Sequence, residues 1–157
     1  MRQLAIGAWV SFCEKISASP RLHLKLSGGE PKRISLRPYL TLLESVEGTR
    51  CFYCGEDASH DPHVDHFLPW SFVYEDKLWN LVIACGGVRG CNLTKLDRIP
   101  LPELTERLKE RNRRMLRGEF GSELQNHRDL REWKVWDLDK HIDQLSATAL
   151  AEGFPRM

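Results

Sequence analysis

At 157 residues, with 41% hydrophobic and 29% charged residues, the chain has room for one domain, or for a small catalytic unit with helical flanks, and none for a second large domain. No apolar run approaches the roughly 18–20 residues needed to cross a bilayer, so a membrane partner is not expected. The net charge of +1 is uninformative as a total, but residues 51–97 hold three Lys/Arg against seven Asp/Glu, while residues 1–50 hold eight against four and residues 98–117 hold seven against three. An acidic block suits a divalent cation and basic neighbours suit a polyanion, although short charged helices are often merely solvated.

The first expected element is a helix over residues 3–17, with Ile6, Trp9, Val10, Cys13 and Ile16 at helical spacing. Glu14 and Lys15 interrupt its apolar stretch and no small-residue cleavage site follows, which favours an amphipathic helix of a cytoplasmic protein over an export signal. Cys13 reads as a small buried hydrophobe. Leu22, Leu24 and Leu26 alternate with polar residues as in a short strand, and Ser27 to Pro31 reads as a turn. Pro38 then suits the first turn of a helix over 38–47, whose apolar face is Leu40, Leu43 and Val46.

Cys51-Phe52-Tyr53-Cys54-Gly55 is a tight turn in which two thiolates reach one tetrahedral ion, the glycine letting the backbone fold back. Its counterpart is Cys85 and Cys91. Five residues separate that pair, more than the usual two to four or so, yet Gly86, Gly87 and Gly90 are among them and a looser loop can close. Paired cysteines in a reducing compartment point to structural zinc held by Cys51, Cys54, Cys85 and Cys91; the competing reading is that the second pair is buried or redox-active.

Between the halves, Val64 to Pro69 reads as a strand running into a turn, and Trp79 to Ala84 as its antiparallel partner. Asn92 to Arg98 begins a helix that Pro100 closes. His63, two residues before Asp65, shares that residue's strand face but reads foremost as a surface histidine, as does His60; His23, His127 and His141 lack ligand-like neighbours.

The ordered set of Cys51 and Cys54, Asp65-His66, Asn80-Leu81, then Cys85, Cys91 and Asn92 resembles the HNH endonuclease family over roughly residues 50–100. The five-residue gap in the second cysteine pair departs from the family pattern. The resemblance implies a ββα-metal fold and a metal-dependent DNA endonuclease, with His66 as general base, Asp65 and Asn92 as ligands of one catalytic Mg²⁺ or Mn²⁺, and Asn80 tying the loop that orients His66. Physical need agrees, since an imidazole takes a proton near neutral pH and hard cations prefer carboxylate and amide oxygens. Asn80 also reads simply as a turn asparagine. Lys95 and Arg98, one turn after Asn92, are expected to contact a substrate phosphate.

Beyond the motif, Leu101 to Arg117 forms an amphipathic helix with Leu104, Leu108, Asn112 and Met115 inward and its arginines outward, where they meet either DNA backbone or solvent. Ser122 to Ala151 reads as two further helices that brace the core or dock a partner. Trp79, Trp133 and Trp136 read as core, whereas Trp70 is left as a candidate for base stacking.

The expected fold class is α+β, mainly helical, with a small zinc-stapled ββα-metal core between N- and C-terminal helices. Its parts are a helical flank at 1–49, the nuclease core at 50–100 and a helical extension at 101–157 packing on the core. No sequence-reading module is visible, so target choice falls to a partner, a guide RNA effector complex or DNA shape. By resemblance, the chain is a nicking or cleavage unit of a restriction, phage-defence or CRISPR-type effector. One strand is cut per site, and a homodimer or second nuclease is needed for both. The rival readings are a non-catalytic zinc-stabilised nucleic-acid-binding module and a protein-interaction adaptor.

Overall fold

The computed structural model describes residues 19–21 and 35–157. The helix expected over 3–17 and the strand at 22–26, with Cys13 and His23, lie outside the described residues. Helix α1 (Arg37–Glu47) carries proline in its first turn and stops where Gly48 takes a φ of 66°. Its Tyr39 and Leu43 are buried, and the helix packs on both strands of the sheet.

Strands β1 (Pro62–His66) and β2 (Leu81–Cys85) pair antiparallel, from Pro62 opposite Cys85 to His66 opposite Leu81. The first four residues of β2 are fully buried, because α1 packs on this hairpin and helix α3 (Cys91–Lys95) also packs on both strands. The connection between the strands holds helix α2 (Trp70–Val73) and a 3₁₀ turn at Leu78–Asn80. Helices α4 (Pro102–Leu116), α5 (Ser122–Gln125) and α6 (Val135–Ala151) follow, with α6 lying on α4. The result is α+β and mainly helical, with a ββα unit at its centre. One hydrophobic cluster runs through it all, from Tyr39 and Leu43 through Phe52, Phe67 and Ile83 to Leu108, Leu138 and Ile142. Among the described residues no helix is long and apolar enough to cross a membrane.

Four local expectations are corrected. The helix expected from Asn92 to Arg98 ends at Lys95, where Leu96 turns to φ 50°. Ile99 is drawn instead into pairing with the C-terminal tail, its N–H donating to Pro155 and its carbonyl accepting from Met157. The second strand begins at Leu81 rather than Trp79, because the carbonyls of Leu78 and Trp79 turn toward α4 to accept from Arg111. Arg111 consequently points inward, unlike the outward arginines expected of that helix. Trp136 is 76% exposed and no part of the core. It lies two residues, about 200° around the helix, from Leu138 on the buried face formed with Ile142, Leu145 and Ala149.

Arg111 bridges helix α4 to the ββα unit. Its guanidinium donates to Leu81 O at 2.6 Å and Trp79 O at 3.1 Å and pairs with Glu47 of α1 at 3.3 Å, while Asn112 Nδ2 donates to Trp79 O at 3.0 Å. Burial pulls the Arg111 pKa down, and these acceptors and Glu47 compensate the charge it carries into the core. Replacing it with methionine removes a donor from several buried carbonyls and from the Glu47 carboxylate at once. Arg111→Met is expected to destabilise the protein by about 3–5 kcal/mol, measured by urea unfolding.

Candidate active site and metal centre

Two clusters of polar side chains meet at the ββα unit. The first is the cysteine set. Cys51, Cys54, Cys85 and Cys91 bring their sulfurs within 4.8 Å of one another, with Cys54 and Cys85 at 3.9 Å. A tetrahedral zinc with bonds of about 2.3 Å requires sulfurs about 3.8 Å apart, so the donor set and its spacing fit that ion. The knuckle is closed by Gly55 N–H donating to Cys51 O, with Gly55 at φ 78°, and is stitched to β2 by Phe52 N–H donating to Ile83 O. The long second loop closes through glycine: a Cβ on Gly90 would strike the Gly86 carbonyl.

Electrostatics also call for a cation here. Burial raises the Cys51 thiol, but the N–H groups of Cys54, Cys85 and Tyr53 outweigh it and bring the pKa down to about 7. Burial and the adjacent Cys51 thiolate then push Cys91 up. Four thiols this close ionise together only around a positive ion.

The second cluster lines a cavity of about 380 Å³ whose walls include Asp65, His66, Trp70, Asn92, Lys95 and Asp97. Asp65 and His66 come from the end of β1, and Asn92 and Lys95 from α3, which the cysteine set anchors at its first residue. His66 Nε2 lies 2.8 Å from Asp76 Oδ1, with only 12% and 16% of the two side chains exposed. A carboxylate accepts, so Nε2 carries the proton and the lone pair resides on Nδ1. Burial lowers the His66 pKa and Asp76 opposes that shift. Asp65 Oδ2 accepts from Tyr53 O–H at 2.7 Å. Burial and the Asp65 charge hold that phenol far above the ordinary tyrosine range, so it is a permanent donor.

Residues 51–101 match the HNH endonuclease family.

The match covers about a third of the chain and spans the cysteine set and the cavity together. No curated protein and no solved structure matches the chain. Within the HNH unit, Asn80 is buried and doubly engaged with Leu68, accepting from its N–H at 2.8 Å and donating to its carbonyl at 3.0 Å. With Phe67 N–H donating to Asn80 O, this pins the turn that leaves β1 just after His66.

Lys95 reaches the site from below. It is 1% exposed, its ammonium donates to His66 O at 2.7 Å and to Leu96 O at 3.2 Å, and Asp65 lies 3.6 Å away. Its hydrogen bonds are taken up by the protein, whereas Arg98 is exposed beyond the end of α3. His63 pairs with Asp61 at 3.0 Å and is not among the cavity-lining residues.

Sequence reasoning passed over Tyr53, Asp76 and Asp97. The position of Tyr53 inside the cysteine knuckle was a usable signal, because that turn must abut the strand bearing Asp65. Asp76 had a weaker one: Glu75 and Asp76 are the two carboxylates in the connection between the Asp-His and Asn segments, and only the fold distinguishes them.

Proposed function

We propose that the chain is a metal-dependent DNA endonuclease that hydrolyses phosphodiester bonds in the cavity of its HNH unit. The observation that carries this reading is the convergence of Asp65, His66 and Asn92 on one cavity beside the cysteine set. His66, its Nε2 proton held by Asp76, takes a proton from the attacking water at Nδ1. Asp65 offers an ion its Oδ1, since Oδ2 is committed to Tyr53, and Asn92 offers its amide oxygen. A bound Mg²⁺ or Mn²⁺ would supply positive charge for the phosphate and the leaving oxygen. Lys95, buried beneath Asp65, offsets the carboxylate's charge, and Arg98 faces the substrate backbone. Trp70 forms part of the wall on which a base or sugar can rest. The cysteine set holds structural zinc, which agrees with a reducing, cytoplasmic setting.

With no sequence-reading module in view, the unit acts within a restriction, phage-defence or RNA-guided effector, and cutting both strands takes a second copy or a second nuclease. Supercoiled plasmid incubated with the protein tests the reading. Open circles are expected with Mg²⁺ or Mn²⁺ and none with EDTA. DNA binding without cutting under any ion would make the chain a binding module, and neither binding nor cutting would leave an adaptor stapled by zinc.

A further inference from the structure

We infer that Asp76 is the positioning residue of His66 and that its place is set from outside the HNH unit, by Tyr39 of α1 and Asp129 of the segment before α6. The inference rests on the reading of His66 as the base. Asp76 sits in the irregular connection between the two strands, where a carboxylate would ordinarily wander with its loop. Here the backbone that follows its side chain is tied to distant elements. The Tyr39 hydroxyl lies 3.1 Å from Asp76 O and 3.2 Å from Asp129 Oδ2, its single proton shared between the two. Leu78 N–H donates to the same Asp129 oxygen at 3.1 Å. Arg128 donates to the Tyr39 oxygen at 3.4 Å, and the Lys77 ammonium stands 3.9 Å from Asp129 Oδ1.

Tyr39 and Asp129 are 6% and 4% exposed, so this is a buried clamp. A buried carboxylate is costly even when well hydrogen-bonded, and apolar packing would secure the loop at lower cost. What apolar packing cannot do is hold a peptide unit at a defined distance from an imidazole. The clamp fixes residues 76–78, Asp76 then meets Nε2, and the imidazole keeps its lone pair on Nδ1. Neither Tyr39 nor Asp129 touches the cavity, and both lie outside the matched segment.

The test uses the full zinc-loaded chain as wild type, Asp76→Ala, Tyr39→Phe and, as a control for lost stability, Ile142→Val, a core trim in α6 that touches none of these hydrogen bonds. Proton–nitrogen correlation spectra of the His66 ring at about pH 8, above the ordinary imidazole range, report its tautomer without reference to cutting. Wild type and Ile142→Val should show Nε2–H alone, Asp76→Ala a mixture, and Tyr39→Phe a partial shift toward it. In the nicking assay Tyr39→Phe should lower kcat about 10-fold and Asp76→Ala about 100-fold or more, at unchanged KM and zinc content. A Tyr39→Phe protein indistinguishable from Ile142→Val in spectrum and kcat would overturn the clamp. An Asp76→Ala protein retaining pure Nε2–H would overturn the positioning role. Should the wild type not cut at all, the nuclease reading fails, and the spectra still decide the clamp.

Discussion

Replacing His66 with alanine is expected to slow plasmid nicking by about 10²–10⁴-fold, the range lost when a positioned proton acceptor is removed. The ring is only 12% exposed and makes one side-chain hydrogen bond, to Asp76, which the structure leaves partly open to water. Deleting that bond costs about 0.5–1.5 kcal/mol, so the folded protein should persist, with only a small fall in melting temperature. The structural tie at this residue runs through its carbonyl, to Lys95, and alanine keeps that bond. Substrate binding should likewise survive, because the proton acceptor acts on the water and not on the phosphate. The measurement is a single-turnover nicking rate at saturating protein, alongside a melting curve and a zinc determination. A rate within a factor of about two of wild type would show that some other group activates the water.

The second large effect concerns the cysteine set. Cys54 is exposed, so in a metal-free protein its replacement by serine should change stability by no more than about 0.5 kcal/mol. With zinc bound, the same substitution removes one of four ligands from a site whose apparent binding energy is on the order of 10–16 kcal/mol, and a large part of that is folding energy. Cys54→Ser should therefore lose zinc and melt far below wild type, and a strong chelator should do the same to the native chain. The knuckle is stitched through Phe52 to β2, the partner of the strand that bears Asp65, and Cys91 opens α3, so loss of the ion loosens the hairpin and helix that carry Asp65 and Asn92. Melting that responds to a reductant and is indifferent to chelator and to Cys54→Ser would instead assign the second pair a redox role.

Much of the site was legible before any coordinates. The knuckle, the Asp-His step at a strand end and the asparagine at the head of the facing strand are local features, and local spacing carries them. Asn80 illustrates the gain and its limit: its place opposite the β1 turn follows from chain order, whereas its two bonds to Leu68 follow from geometry. Lys95 shows a limit of the same method. Helical spacing from Asn92 put it near the site, but spacing does not distinguish a lysine facing phosphate from one buried under the strand end. Arg111 and Trp136 failed as a pair for a related reason. Hydrophobicity assigns arginine outward and tryptophan inward, and here unsatisfied carbonyls at Leu78–Leu81 outweigh the first rule while the stripe of Leu138, Ile142 and Leu145 already fills the groove against α4.

The order of residues from Cys51 to Asn92 was enough to name the candidate ligands, a candidate proton acceptor and the hairpin that carries them, since all lie within a few turns of chain. The meeting of residues 39, 76 and 129 became visible only with the folded chain. Contacts separated by 37 and 90 positions leave no periodicity to read, and a buried carboxylate is recognised only by the donors that surround it.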